Sequence, residues 1–251
     1  MAKREQQSLV ALSDHMPRIT PSRDALRQWG RRWLGTAGSN GKVKKANSFD
    51  RKQSMDFGKV FDQAFGEALA AMLGGVPVRN IGSPSLVPPE PNCVEVGETR
   101  IIGGIRPQNF DAAYRPDGPR VVYDSKTLND TASVRKNWQN MVNDLGTEAT
   151  TCHTRFPYCV VVLVVAIPRD ALPATQEKDL IRTLERLGSR DDVLDQAHLA
   201  EAIAFIVWDP HTGDLDAATP APDSPIRLEN VSQRIFDAYV ARYKGLPPHE
   251  E

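Results

Sequence analysis

The chain alternates between two kinds of hydrophobic pattern. Apolar residues recur at three- and four-residue spacing over Asp56 to Leu73, where Val60, Phe61, Ala64, Phe65, Ala68, Leu69 and Met72 fall on one stripe. Ser54 is placed to cap this helix and Gly74-Gly75 to stop it. The same periodicity predicts helices from Asn129-Asp130-Thr131 to Leu145, ended by Gly146, and over Gln176–Leu187, Asp191–Ala202 and Val231–Tyr243. Asp24–Leu34 gives a shorter one, with Trp29 and Trp33 sharing a face. Between the helices lie strands. Cys159–Ile167 (CVVVLVVAI) and Ala204–Trp208 (AFIVW) are continuous apolar runs, as expected of strands covered on both faces. Cys93–Val96 and Arg100–Ile102 read as short strands around Gly97, and residues 76–92 as a Pro/Gly/Ser loop. This order predicts an α/β fold with a mixed β-sheet flanked by helices.

The central stretch is residues 109–126, NFDAAYRPDGPRVVYDSK. Arg115-Pro116-Asp117-Gly118 supplies a turn between two strands. With a side-chain period of two, Asp124 and Lys126 emerge on one face. A closed hairpin brings Asp111 back beside them. Two carboxylates and an ammonium at one point suit a bound divalent cation, which relieves the like-charge repulsion.

Charge adds a second feature. The chain carries 31 basic and 32 acidic residues; the first 60 positions hold 13 and 5 of these, leaving 18 and 27 for the rest. A basic segment on an acidic body is suited to a polyanion. Residues 1–53 read as a basic, partly flexible N-terminal arm, with Gly35–Gly41 as linker and Lys42, Lys44 and Lys45 after it; residues 54–251 read as the main domain. Cys93, Cys152 and Cys159 are odd in number and form no disulfide framework. Without a signal-peptide pattern or an apolar run of membrane-spanning length, the expected location is cytoplasmic. The chain contains no phosphate-binding loop, dinucleotide fingerprint, nucleophile elbow or H-E-x-x-H.

Asp111 followed by Asp124-Ser125-Lys126 resembles the catalytic motif of the PD-(D/E)xK nucleases, and the order of helices and strands over residues 54–208 extends the likeness. Phe110 stands where the motif's name has Pro. The resemblance implies a restriction-endonuclease-like core and Mg²⁺-dependent hydrolysis of double-stranded DNA by a homodimeric, site-specific restriction enzyme. It implies that Asp111, Asp124 and the Ser125 carbonyl hold Mg²⁺ and that Lys126 positions and helps deprotonate the attacking water. The helix before the hairpin often contributes a Glu in that family, which nominates Glu67 ahead of Asp62 and Asp56. Arg135 and Lys136, together with Lys42, Lys44 and Lys45, are the expected DNA contacts. The alternatives are a repair or recombination nuclease, or a catalytically inert DNA-binding or assembly protein of the same fold.

Overall fold

The computed structural model describes residues 11–249. Six strands form one mixed sheet in sequential order: β1 (Val78–Asn80), β2 (Val94–Ile102), β3 (Pro107–Tyr114), β4 (Val121–Thr127), β5 (Val160–Pro168) and β6 (Ala202–Trp208). The β2–β3 and β3–β4 pairs are antiparallel, and β1–β2, β4–β5 and β5–β6 are parallel. Helices α2 (Arg51–Met72) and α5 (Leu228–Tyr243) cover one face; α3 (Thr131–His153) and α4 (Ala174–Leu187) cover the other.

The pleat of β5 explains its unbroken apolar run. Val160, Val162 and Val164 join the core beneath α2 and α5, while Val161, Leu163 and Val165 join the core beneath α3 and α4. All nine residues of β5 are buried, so neither face tolerates a polar side chain. Aromatic residues fill the α2 side: Phe65 stacks on Tyr123 at 4.1 Å, and Phe57 lies 5.0 Å from Trp208.

Several boundaries differ from the sequence expectation. Helix α2 begins at Arg51 because Asp50 and Gln53 form a reciprocal capping box, leaving Ser54 inside the helix. Helix α3 runs through Gly146 to His153, since a single glycine costs less than the packing of Leu145, Ala149 and Cys152 returns. Residues 191–201 form turns rather than a helix. Asp195 accepts from the Asp191 and Asp192 amides, and Leu194 is 92% exposed, so no apolar stripe forms there. The two short strands around Gly97 are one strand, β2, and the expected loop at 76–92 contains the parallel edge strand β1.

The segment before α2 packs against the sheet layers. Helix α1 (Arg23–Leu34) buries Leu26 under the α2/α5 core and Trp33 on the α3/α4 side, with Met16 and Ile19 also buried. Residues 35–41, read from composition as linker, carry defined hydrogen bonds. No helix among the described residues is long and apolar enough to cross a membrane.

Candidate active site

The hairpin predicted at 109–126 closes, with Ala112 opposite Tyr123 and Tyr114 opposite Val121. Its open end is shaped by a bulge in the neighbouring strand. Val96 pairs with Ala112 and Thr99 with Phe110, so Gly97 and Glu98 together oppose Asp111. Gly97 takes φ +115°, a conformation open to glycine, and a Cβ there would meet the Ile81 carbonyl oxygen at 2.5 Å. The bulge thus leaves Asp111 where β3 begins to part from β4. Its Oδ2 accepts from the Ser125 amide at 2.9 Å and from the Ser125 hydroxyl at 3.1 Å.

The period of β4 sends its two charged residues to one face and Ser125 to the other. Asp124 and Lys126 point toward α3, as their spacing predicts. The Lys126 ammonium donates to Asp124 and, at 2.8 Å, to Glu148 Oε1 of α3. Gln108 Nε2 donates to the same Glu148 oxygen at 3.3 Å. Glu148 is buried, and its Oε2 has no hydrogen-bond partner. Ser125 points toward α2, where its hydroxyl donates to Asp62 Oδ1 at 2.8 Å. Helix α2 comes this close because residue 58 is glycine: a Cβ there would stand 3.1 Å from Ser125 Oγ.

Asp111 is the electrostatic hinge between the two halves. Burial, then the Asp111 charge, pushes the Asp62 carboxyl up to about 8. Burial and Asp111 likewise push Asp124 well above the usual carboxylate range, against the pull of Lys126. Although burial opposes its charge, Lys126 is raised above the ordinary lysine range by Asp124 and Glu148. Asp124 and Glu148 share the Lys126 ammonium while Asp62 and Asp111 meet Ser125, so the carboxyls outnumber the cation in a poorly solvated place. The ammonium therefore keeps its proton, and further protons, or another cation, must balance the acids.

A cleft of about 480 Å³ opens onto this cluster; its lining includes Gly58, Lys59, Asp62, Asp111, Ser125 and Lys126. A larger cavity, about 540 Å³, lies between Leu86–Pro91 and Arg155–Phe156. It is mainly apolar and contains none of the clustered acids.

Of the residues nominated from sequence, Asp111, Asp124, Ser125 and Lys126 come together. Glu67 does not: it is exposed and accepts from Gln63 at 2.8 Å on the same helix. Asp62, five residues earlier, occupies the place sought for Glu67. Both border the apolar stripe, but only Asp62 is turned toward β4. Glu148 lies beyond the helix that the sequence predicts, because Gly146 reads as its stop. Arg135 and Lys136 are exposed in the first turns of α3. Lys42 and Lys45 are exposed near α2, whereas the Lys44 ammonium turns inward to the Trp33 and Lys45 carbonyl oxygens, each at 3.2 Å. Burial lowers the Lys44 pKa.

Among the described residues, no three acidic, histidine or cysteine side chains stand arranged as a ready metal cage. The donor chemistry nonetheless suits a hard divalent cation, since every candidate ligand is oxygen and a buried Glu148 oxygen lacks a partner. No known protein family matches the chain, and no curated protein or solved structure is significantly similar to it.

Proposed function

We propose that the chain is a Mg²⁺-dependent endonuclease acting on double-stranded DNA, with a restriction-endonuclease-like core and its chemistry at the open end of the β3–β4 hairpin. The single observation that carries this reading is the convergence of Asp111, Asp124 and Lys126, joined by Asp62 and Glu148, beside a cleft that Asp62, Asp111 and Lys126 line and behind which Asp124 and Glu148 are buried. A permanent structural role is a poor explanation for such a set. Buried like charges cost stability, and apolar residues of similar size would pack the same space without that cost.

Asp111, Asp124 and the Ser125 carbonyl are the proposed Mg²⁺ ligands, with Asp62 in the supporting place first assigned to Glu67. Bound there, Mg²⁺ would supply charge stabilisation at the scissile phosphate and a more acidic water. Lys126 changes role from the sequence expectation. Held between Asp124 and Glu148, it keeps its proton and serves as a hydrogen-bond donor to the phosphoryl oxygens rather than as a base. Glu148 fixes the ammonium's position. Arg135, Lys136, Lys42 and Lys45 are surface cations suited to the DNA backbone; Lys44 belongs to the support of its own loop. Site-specific restriction by a homodimer is the form of this activity that the resemblance favours, since two-fold symmetry matches a palindromic site.

The competing reading is an inert DNA-binding or assembly protein that keeps the fold. Cleavage of genomic DNA by the unaltered chain and by Asp124→Asn separates the two. The nuclease reading expects Mg²⁺-dependent fragments from the first and at least a 100-fold loss in the second, with DNA still bound. Equal inactivity of both proteins, with binding intact, would establish the inert binder.

A further inference from the structure

The loop preceding α2 is a supported projection. Ala37 and Val43 form an antiparallel bridge, closed by the Gly38 amide donating to the Lys42 carbonyl at 2.7 Å and the Lys44 amide to the Thr36 carbonyl at 2.8 Å. Asn40 and Gly41 make the turn at φ 58° and 72°. Asp50, the residue that caps α2, also accepts from the Ser39 hydroxyl at 3.0 Å, and Gln53 Nε2 donates to the Ala37 carbonyl at 3.0 Å. The loop is thereby fastened to the first turn of the helix that carries Asp62.

Its outward side chains differ in character from its supports. Asn40, Lys42 and Lys45 are exposed, and Val43 is 86% exposed despite being β-branched and apolar. Met55, on the first turns of α2 and lining the cleft, is 62% exposed. The loop thus exposes an amide, two ammoniums and an apolar group, and Met55 adds a second bare apolar group at the cleft. Phosphate binding needs only cations. Base edges are read by this mixture: Asn pairs with adenine, Lys with guanine, and an aliphatic group meets the thymine methyl.

We propose that the Gly38–Val43 tip reads base edges of the DNA substrate. The inference rests on the endonuclease reading and adds where specificity resides. Asp50, the N-cap of α2, precedes Asp62 by twelve residues, about 18 Å at the α-helical rise, so the loop is fastened well away from the clustered acids along the same helix.

The test is selection from a randomised duplex pool, using the unaltered chain in EDTA and Asp124→Asn in Mg²⁺, so that the DNA is bound and not consumed. Each is compared with a version carrying Asn40→Gly and Val43→Ala. Asn40→Gly preserves the left-handed turn, and both positions are exposed, so folding is retained; circular dichroism verifies that. The expected result is a defined motif for the parent. The tip variant should lose roughly tenfold or more of the discrimination in one block of the motif, while binding remains. An unchanged motif, or a weakening equal for every sequence, overturns the inference and leaves the endonuclease reading standing. Cleavage by the parent with no sequence preference has the same meaning. A parent that binds no duplex at all removes both.

Discussion

Asp62 is a nearly buried carboxyl joined to Asp111 through the Ser125 hydroxyl, on the side of α2 that faces β4. Its pKa is pushed up to about 8 by burial and by Asp111, from an ordinary value near 3.8. Between those values the folded chain holds a proton that the unfolded chain releases. Stability must therefore fall as pH rises through this window, with the penalty absent near pH 4 and full above pH 8. Asp62→Asn removes the penalty while keeping an acceptor for Ser125. It should raise Tm at pH 8, by roughly 2–4 °C for each kcal/mol relieved, with the gain vanishing near pH 4. Mg²⁺ should raise the Tm of the unaltered chain at pH 8, and raise that of the variant by less, since Asp111 and Asp124 remain. A variant less stable than its parent at both pH values would refute this account of Asp62. Glu148 makes a separate claim. If it positions Lys126, Glu148→Gln should lower kcat by about 10- to 100-fold with KM for DNA unchanged; a rise in KM alone would place Glu148 in substrate binding.

The elements were legible in proportion to how local their causes are. Strands β4, β5 and β6 and helices α4 and α5 declare themselves by period and by β-branched runs, and the Pro-Asp-Gly turn marks the hairpin. What escaped depends on partners distant in the chain. The bulge at Gly97–Glu98 exists relative to β3, and the capping box at Asp50 competes with an equally plausible cap at Ser54. Gly146 looks like a helix stop until α4 is present to cover Leu145 and Ala149. The site followed the same rule. Asp111, Asp124 and Lys126 were readable from strand period, whereas Asp62 and Glu148 needed the two helices to be docked. Gly146 offers a test. A Cβ there meets only Leu187 Cδ1 at 3.8 Å and atoms of His198 at 3.9 Å and beyond. Gly146→Ala should stabilise the protein by about 0.5–1 kcal/mol in chemical denaturation. Gly66→Ala should do the reverse, because its Cβ would fall 2.3 Å from Val96 Cγ2. Destabilisation by Gly146→Ala would mean that α3 is interrupted there after all.

At the scale of the whole molecule, basic residues are concentrated before the sheet begins, and that segment also helps to build the core. Met16, Ile19, Leu26 and Trp33 are buried, and Trp33 Nε1 donates to the Asn129 carbonyl just after β4. Removing residues 1–45 would uncover large apolar side chains and lower Tm, so truncation confounds folding with binding. Single substitutions that remove a surface charge isolate the electrostatics. Lys45→Ala, Arg135→Ala and Lys136→Ala should each weaken DNA binding and reduce the slope of log affinity against log salt by about 1; an unchanged slope would take that residue off the DNA backbone. The central claim, phosphodiester hydrolysis at the β3–β4 hairpin, is tested most directly by incubating several genomic DNAs with the chain in Mg²⁺ or EDTA, beside Lys126→Ala. The account predicts discrete fragments in Mg²⁺ alone, lost in the variant. Intact DNA throughout, or the same fragments from Lys126→Ala, would contradict it.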